Sequence, residues 1–211
     1  MKKVAIIGAN GKSGSALVAE ALKQGYDVTG FARNKEYKNG AIKLVHKDVF
    51  ELSKADLAGF DVVISAFGTF TDATPLYKKV AVHLANLLSG SSTRLIIVGG
   101  AGTLLVDDQG TMAMDTPGFP PEYMGVAKAT AESFFELKGR TDVLWTYVSP
   151  AGDYDADGAR TGKYVLGNDH VILNSQNESY ISYADLAIAI IDELKNRNFV
   201  QKRFTAVGER A

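Results

Sequence analysis

The sequence of 211 residues contains no cysteine. That absence removes disulfides, thiolate nucleophiles and sulfur-ligated metal centres together. An excess of charge is missing as well, because 23 Lys and Arg face 24 Asp and Glu, a formal net charge of −1. No global field therefore recruits nucleic acid or an anionic membrane. Long apolar runs are also absent. The start "MKKVAIIGANG" has the two lysines of a secretory leader, but its run "VAII" stops at a glycine, and no stretch reaches membrane-spanning length. His46 and His170 have no metal-ligand spacing to any partner, and "DADGAR" at 155–160 lacks the length and closing Glu of a calcium loop. These absences leave the expectation of a cytoplasmic protein, monomer or homodimer, that binds a small molecule and no metal, membrane or nucleic acid.

What is present is ordinary for a chain with a core of its own: 46% hydrophobic and 22% charged residues. The length suggests one domain over 1–211, with about 150–211 elaborating one side. Short β-branched runs alternate with helical patterns. "KVAIIGA", "DVTGFAR", "AIKLVHKD", "DVVISAFG", "TRLIIVGG" and "DVLWTYVSP" read as strands. "SGSALVAEALKQG", "PLYKKVAVHLANLLSG", "EYMGVAKATAESFFELKG" and "SYADLAIAIIDELKNR" read as helices. The rhythm predicts an α/β fold, a Rossmann-type doubly wound parallel sheet in three α/β/α layers, with a small C-terminal elaboration on the substrate side. "KYVLGNDHVILNSQ" reads as a hairpin outside the main sheet, and "RFTAVG" as a last edge strand. Residues 100–121 are too long and too rich in Gly and Pro for a plain connection, so they read as functional or mobile. His83 is expected to pack on its helix, Lys128 to lie on the surface, and Trp145, Phe134 and Phe135 to sit in the core.

Residues 8–14, "GANGKSG", place Gly8, Gly11 and Gly14 in a G-x-x-G-x-x-G spacing. The loop follows a buried strand and opens an amphipathic helix. In that setting glycines allow a tight turn and close backbone approach, while helix N–H groups face a pyrophosphate. Gly8, Ala9, Asn10, Gly11, Lys12, Ser13 and Gly14 are thus candidate dinucleotide-binding residues, a ligand-free turn being the plain alternative. The second strand ends "FARNKEYK", with Arg33 and Lys35 and no acid before Glu36. A carboxylate there would suit the ribose of NAD, whereas a guanidinium binds a 2′-phosphate through charge-assisted hydrogen bonds. NADP(H) is therefore favoured over NAD(H), with Lys12 as a second cation; the plain alternative is a solvated basic loop. Three more strand ends converge on the same edge. Asp48 and Val49 would meet the adenine, Ala66, Phe67 and Gly68 would let the ribose pass, and Gly99 and Gly100 would lie under the nicotinamide.

With these residues the sequence resembles the short-chain dehydrogenase/reductase superfamily, in its atypical NmrA-like branch. Within it the chain is most similar to NADH-flavin reductases related to the biliverdin reductase B/flavin reductase type. "GANGKSG" (8–14), "SAFGT" (65–69), "IIVGGAGTL" (96–104), "FPPEY" (119–123), "SPAGDYDADGARTGKY" (149–164) and "ISYADLAIAIIDE" (181–193) carry the resemblance over nearly the whole chain. It implies that Pro150, Ala151 and Gly152 match the segment that passes over the nicotinamide. It also exposes a departure. Typical members carry Y-x-x-x-K, but Tyr123 and Lys128 lie five apart, and Gly99-Gly100 stand where the superfamily's serine is expected. Five residues rotate two helical side chains off a common face.

Reducing a carbonyl needs a proton donor at the developing alkoxide, whereas a flavin ring stabilises the charge and water can protonate it. The expectation is an NAD(P)H-dependent reductase passing hydride to FMN, riboflavin or another planar conjugated acceptor. Phe67, Phe119, Tyr123 and residues 100–121 would surround that acceptor, with Tyr123 the candidate catalytic residue; anchoring a helix start is the other reading of Tyr123. Two alternatives stand beside it: an NmrA-like sensor that holds NADP without turnover, and an epimerase or dehydratase, which the absent motif opposes.

Overall fold

A continuous apolar run in a strand must be covered on both faces, and residues 4–7 of the first strand show how. In β1 (Lys3–Ile7), Val4 and Ile6 enter one core, while Ala5 and Ile7 enter the other. The computed structural model describes residues 2–33, 40–69 and 75–211. After β1 come α1 (Lys12–Lys23), β2 (Asp27–Ala32), β3 (Lys43–His46), the short α2 (Lys54–Leu57) and β4 (Val62–Ser65). Then follow α3 (Leu76–Leu88), β5 (Arg94–Val98), α4 (Met124–Lys138), β6 (Leu144–Ser149), β7 (Asp153–Asp155) and β8 (Tyr164–Gly167). β9 (Tyr180–Ser182), α5 (Tyr183–Asn196) and β10 (Lys202–Gly208) complete the chain.

The main sheet runs β3-β2-β1-β4-β5-β6-β10-β8. Every neighbouring pair is parallel except β10–β8. Leu17, Val18 and Ala21 of α1 join Leu186, Ile190 and Ile191 of α5 on one face. Val80, Leu84 and Leu88 of α3 join Phe134 and Leu137 of α4 on the other. This is the expected Rossmann-like three-layer arrangement. Its order reverses between β1 and β4, where open α/β sheets form their ligand crevice.

The end of the chain corrects two expectations. "KYVLGNDHVILNSQ" is not a separate hairpin: β8 pairs antiparallel with β10, Val165 opposite Val207. β10 is consequently an inner strand, with β8 at the edge. The elaboration is instead a two-stranded parallel ribbon of β7 and β9. A third correction concerns Phe135, which is 49% exposed, while its neighbour Phe134 and Trp145 are buried as expected. Adjacent residues on a helix point about 100° apart, and here Phe134 takes the side toward the core while Phe135 turns to solvent.

One polar network is sealed into this core. Arg94 of β5 pairs with Glu193 of α5 and donates to Thr146 Oγ1 of β6 at 2.6 Å. Thr146 in turn donates to the Phe199 carbonyl at 2.7 Å. Both charged side chains are almost fully buried, so each depends on the other for compensation.

Candidate functional site

The glycine loop is shaped by close backbone approach. Gly8 has φ +79°, and a Cβ there would lie 2.9 Å from the Ala66 carbonyl oxygen at the end of β4. A Cβ on Gly14 would lie 2.0 Å from the Gly8 oxygen, so this glycine lets α1 begin directly against the loop. Gly8 N–H donates to Phe31 O of β2 at 2.9 Å, and Gly11 N–H donates to Gly8 O at 2.9 Å. Gly11 caps α1 without a side-chain hydrogen bond, and the first turn carries no acid. The first N–H groups of that helix are left to a ligand or to water.

Two cavities open along the edge where the parallel strands end, and they share Ala66, Phe67 and Gly68. The smaller, about 570 Å³, is lined by Gly8, Asn10 and Gly11 on one side and by Arg33, Lys47, Asp48 and Val49 on another. Asp48 caps the turn at 49–51, accepting from Phe50 N–H at 3.0 Å, while Glu51 accepts from Asp48 N–H at 2.9 Å. Arg33 Nε is 3.8 Å from Asp48 Oδ2, and its side chain is 80% exposed. Lys47 Nζ sits 2.6 Å from Asp56.

The larger cavity, about 870 Å³, has Gly99 and Gly100 in its lining, with Ser13, Pro150 and Ala151. Its walls are aromatic. Phe67 meets Tyr77 edge to face at 5.3 Å, and Tyr154 stacks on Tyr183 with ring centroids 3.8 Å apart. The Tyr154 and Ser13 hydroxyls are 2.9 Å apart, which ties β7 to the glycine loop. Burial pushes the Tyr154 phenol well above its ordinary pKa. Behind Gly99 lies Tyr147, fully buried, its phenol pushed up to about 12 by that burial and its hydroxyl donating to Thr130 O at 2.8 Å.

Residues 100–121 are stitched in place. Leu105 N–H donates to Asp169 O, and Val171 N–H donates back to Leu105 O, both at 2.8 Å. Arg203 of β10 donates to Thr103 O and to Asp169 Oδ1, with its guanidinium 4.3 Å above the Phe134 ring.

A family profile described as NAD(P)H-binding matches residues 8–197, beginning at the first glycine of the loop. The chain belongs to the NAD(P)H-binding family. YwnB of Bacillus subtilis (strain 168), whose function is uncharacterised, is 42% identical over 210 residues, 98% of this chain and 99% of that protein. A Streptococcus pneumoniae TIGR4 protein provisionally named an NADH-flavin reductase is 43% identical, with TM-score 0.96 over 99% of this chain and 100% of its own. A Bacteroides thetaiotaomicron protein provisionally named an epimerase is 35% identical, with TM-score 0.87 over 100% of this chain and 99% of its own.

Within this NAD(P)H-binding fold, most of the sequence-selected residues line one cavity or the other. Gly8, Asn10, Gly11, Arg33, Asp48 and Val49 line the smaller; Ser13, Gly99, Gly100, Pro150, Ala151 and Tyr123 line the larger. Ala9 is buried, Gly14 is packed against the loop, and Lys12 points to solvent, so these three line neither. Lys35 lies outside the described residues. Tyr123 is 51% exposed at the start of α4, and Lys128 is exposed and lines neither cavity. Sequence reasoning passed over Lys47, Tyr77, Tyr154 and Tyr183. Lys47 adjoins Asp48, and the last two tyrosines stand inside the blocks 149–164 and 181–193. Among the described residues no cluster could hold a metal ion, and no helix is long and apolar enough to cross a membrane.

Proposed function

We propose that the protein is an NAD(P)H-dependent reductase that passes hydride to a flavin or another planar conjugated acceptor. The observation that carries this reading is the pair of adjoining cavities, one built on the glycine loop and the other walled by aromatic rings. The residues fit a dinucleotide: an uncapped, acid-free helix start suits the pyrophosphate. Gly8 to Gly14 would cradle that group, Asp48 and Val49 would meet the adenine, and Ala66, Phe67 and Gly68 would flank its passage. Arg33, with Lys47 in the same lining, would bind a 2′-phosphate and favour NADP(H). Gly99, Gly100, Pro150 and Ala151 would border the nicotinamide. Bound in its reduced form, the dinucleotide supplies a hydride. The chain supplies alignment and a cavity whose volume, about 870 Å³, leaves room for a second ring system. The name of the Streptococcus relative points the same way.

The test is to mix pure protein with NADPH and FMN, riboflavin or a quinone and follow loss of reduced-nicotinamide absorbance. Turnover above a protein-free control supports the reading; none with any acceptor refutes it. A sensor that binds NADP without turnover is the second reading, favoured by the exposure of Tyr123 and Lys128. Tight binding by calorimetry, with a preference for one redox state and no turnover, would establish it.

A further inference from the structure

Tyr123, the tyrosine of the superfamily-like segment, stands half exposed at the cavity rim. A different tyrosine lies deeper. Tyr183, the first residue of α5, lines the larger cavity and is only partly accessible. Its ring is stacked on Tyr154, which is joined through its hydroxyl to Ser13 of the glycine loop. The other deep tyrosines have committed their hydroxyls: Tyr77 donates to Thr69 O, Tyr147 donates to Thr130 O, and Tyr154 is paired with Ser13. The Tyr183 hydroxyl forms no hydrogen bond with any described residue. The chain Ser13–Tyr154–Tyr183 therefore holds one uncommitted donor at a set position relative to the glycine loop. Such fixed placement is what a reacting group requires.

We propose that Tyr183 is a catalytic residue whose hydroxyl donates to the ring carbonyl oxygen of the acceptor and then gives it a proton. This rests on the reductase reading above. Within that reading it selects acceptors whose conjugated ring ends in a carbonyl oxygen, the quinone being the simplest class. When the acceptor takes up hydride, the displaced electron pair collects on that oxygen. The oxygen takes the Tyr183 proton: the phenol O–H bond breaks and the new O–H bond of the reduced acceptor forms. Water from the open cavity returns a proton to the phenolate, so each acceptor gains one hydride and one proton. Burial, helped by Tyr77 of α3 and Asp155 of β7, pushes the Tyr183 phenol above its ordinary pKa. Of the groups facing it, Tyr154 and Asp155 from β7 and Tyr77 from α3, only Asp155 is charged at neutral pH. Its sign keeps the donor protonated.

The experiment uses the full chain with menadione as the probe. Tyr183→Phe keeps the ring on Tyr154 and removes only the hydroxyl. The expected result is at least about fivefold weaker menadione binding by calorimetry without dinucleotide, the worth of one hydrogen bond. The kcat with NADPH should fall at least about tenfold, with the Kd for NADPH unchanged. Tyr183→His installs a donor titrating near pH ~6.5. Its kcat should fall as pH rises through that value, a limb the wild type lacks; this variant carries the test if the phenylalanine form does not fold. Smaller losses in Tyr183→Phe, or a histidine variant with the wild-type profile, overturn the proposal. A wild type that reduces no acceptor refutes the reductase reading, and the calorimetric comparison is then judged separately.

Discussion

Replacing Gly99 by alanine adds one methyl group, and the structure indicates where it goes. The new Cβ would lie 2.0 Å from both Cζ and Oη of Tyr147 and 2.5 Å from its Cε1. That ring has no room to retreat: it is fully buried, and its centroid is 5.0 Å from that of Phe134. Overpacking of this kind costs about 1–3 kcal/mol. Displacing the phenol also breaks its bond to Thr130 O, leaving buried groups unsatisfied at about 1–3 kcal/mol. The two effects together predict a loss of about 2–6 kcal/mol. For a chain of this length that corresponds to a fall in Tm of roughly 4–24 °C. Urea denaturation with the linear extrapolation measures it. Tyr147→Leu removes the clashing atoms, so Gly99→Ala on that background should cost less than it does alone. A Gly99→Ala protein within about 1 kcal/mol of wild type, or strict additivity with Tyr147→Leu, would refute the reasoning. The prediction also bears on chemistry. The serine of ordinary dehydrogenases is excluded at this position because Tyr147 already fills the volume its Cβ would need.

Other consequences can be measured separately. Arg33→Ala should weaken NADPH binding by about 10- to 100-fold, the range of a charge-assisted hydrogen bond to phosphate, with little effect on NADH. Equal losses for both dinucleotides would remove Arg33 from the 2′-phosphate site. Glu193→Ala leaves Arg94 buried without compensation and should cost about 3–5 kcal/mol in urea unfolding; a loss below about 1 kcal/mol would contradict the account. The Asp142 carboxyl is held well below the usual range by Arg140 and then by Ser89. A depressed native pKa contributes stability above the unfolded value of about 3.9 and loses it as pH falls. The Tm gap between wild type and Asp142→Asn should therefore be widest near about pH 7 and narrow below about pH 4. A gap that stays constant across that range would reject the linkage.

Local order was legible in the residues themselves. β1, the glycine loop and α1 follow from an apolar run, a turn that needs Gly8, and a helical stripe of Leu17, Val18 and Ala21. The end of α5 nearest the site is likewise set locally, with Ser182 accepting from Asp185 N–H at 3.0 Å. These features depend on residues a few positions apart, where backbone sterics and periodicity decide. The doubly wound parallel sheet followed too, because alternating strands and helices build parallel βαβ units with one favoured hand.

Tertiary structure decided what local rules leave degenerate. A short strand such as β8 pairs equally well on paper in a hairpin or at a sheet edge; only the open side of β10 settles where it goes. Gly99 read as a small residue making room for a ligand, yet its size is demanded from beneath by Tyr147, a neighbour only through the β5–β6 pairing. Ser13 and Tyr154 are 141 positions apart, and no periodicity relates them. Tyr183 looked like any helix-start residue until its stacking partner was known. Sequence patterns determine which residues a strand or helix buries. Which buried surfaces meet, and which hydroxyl is left without a partner in the cavity between them, depends on packing the whole chain at once.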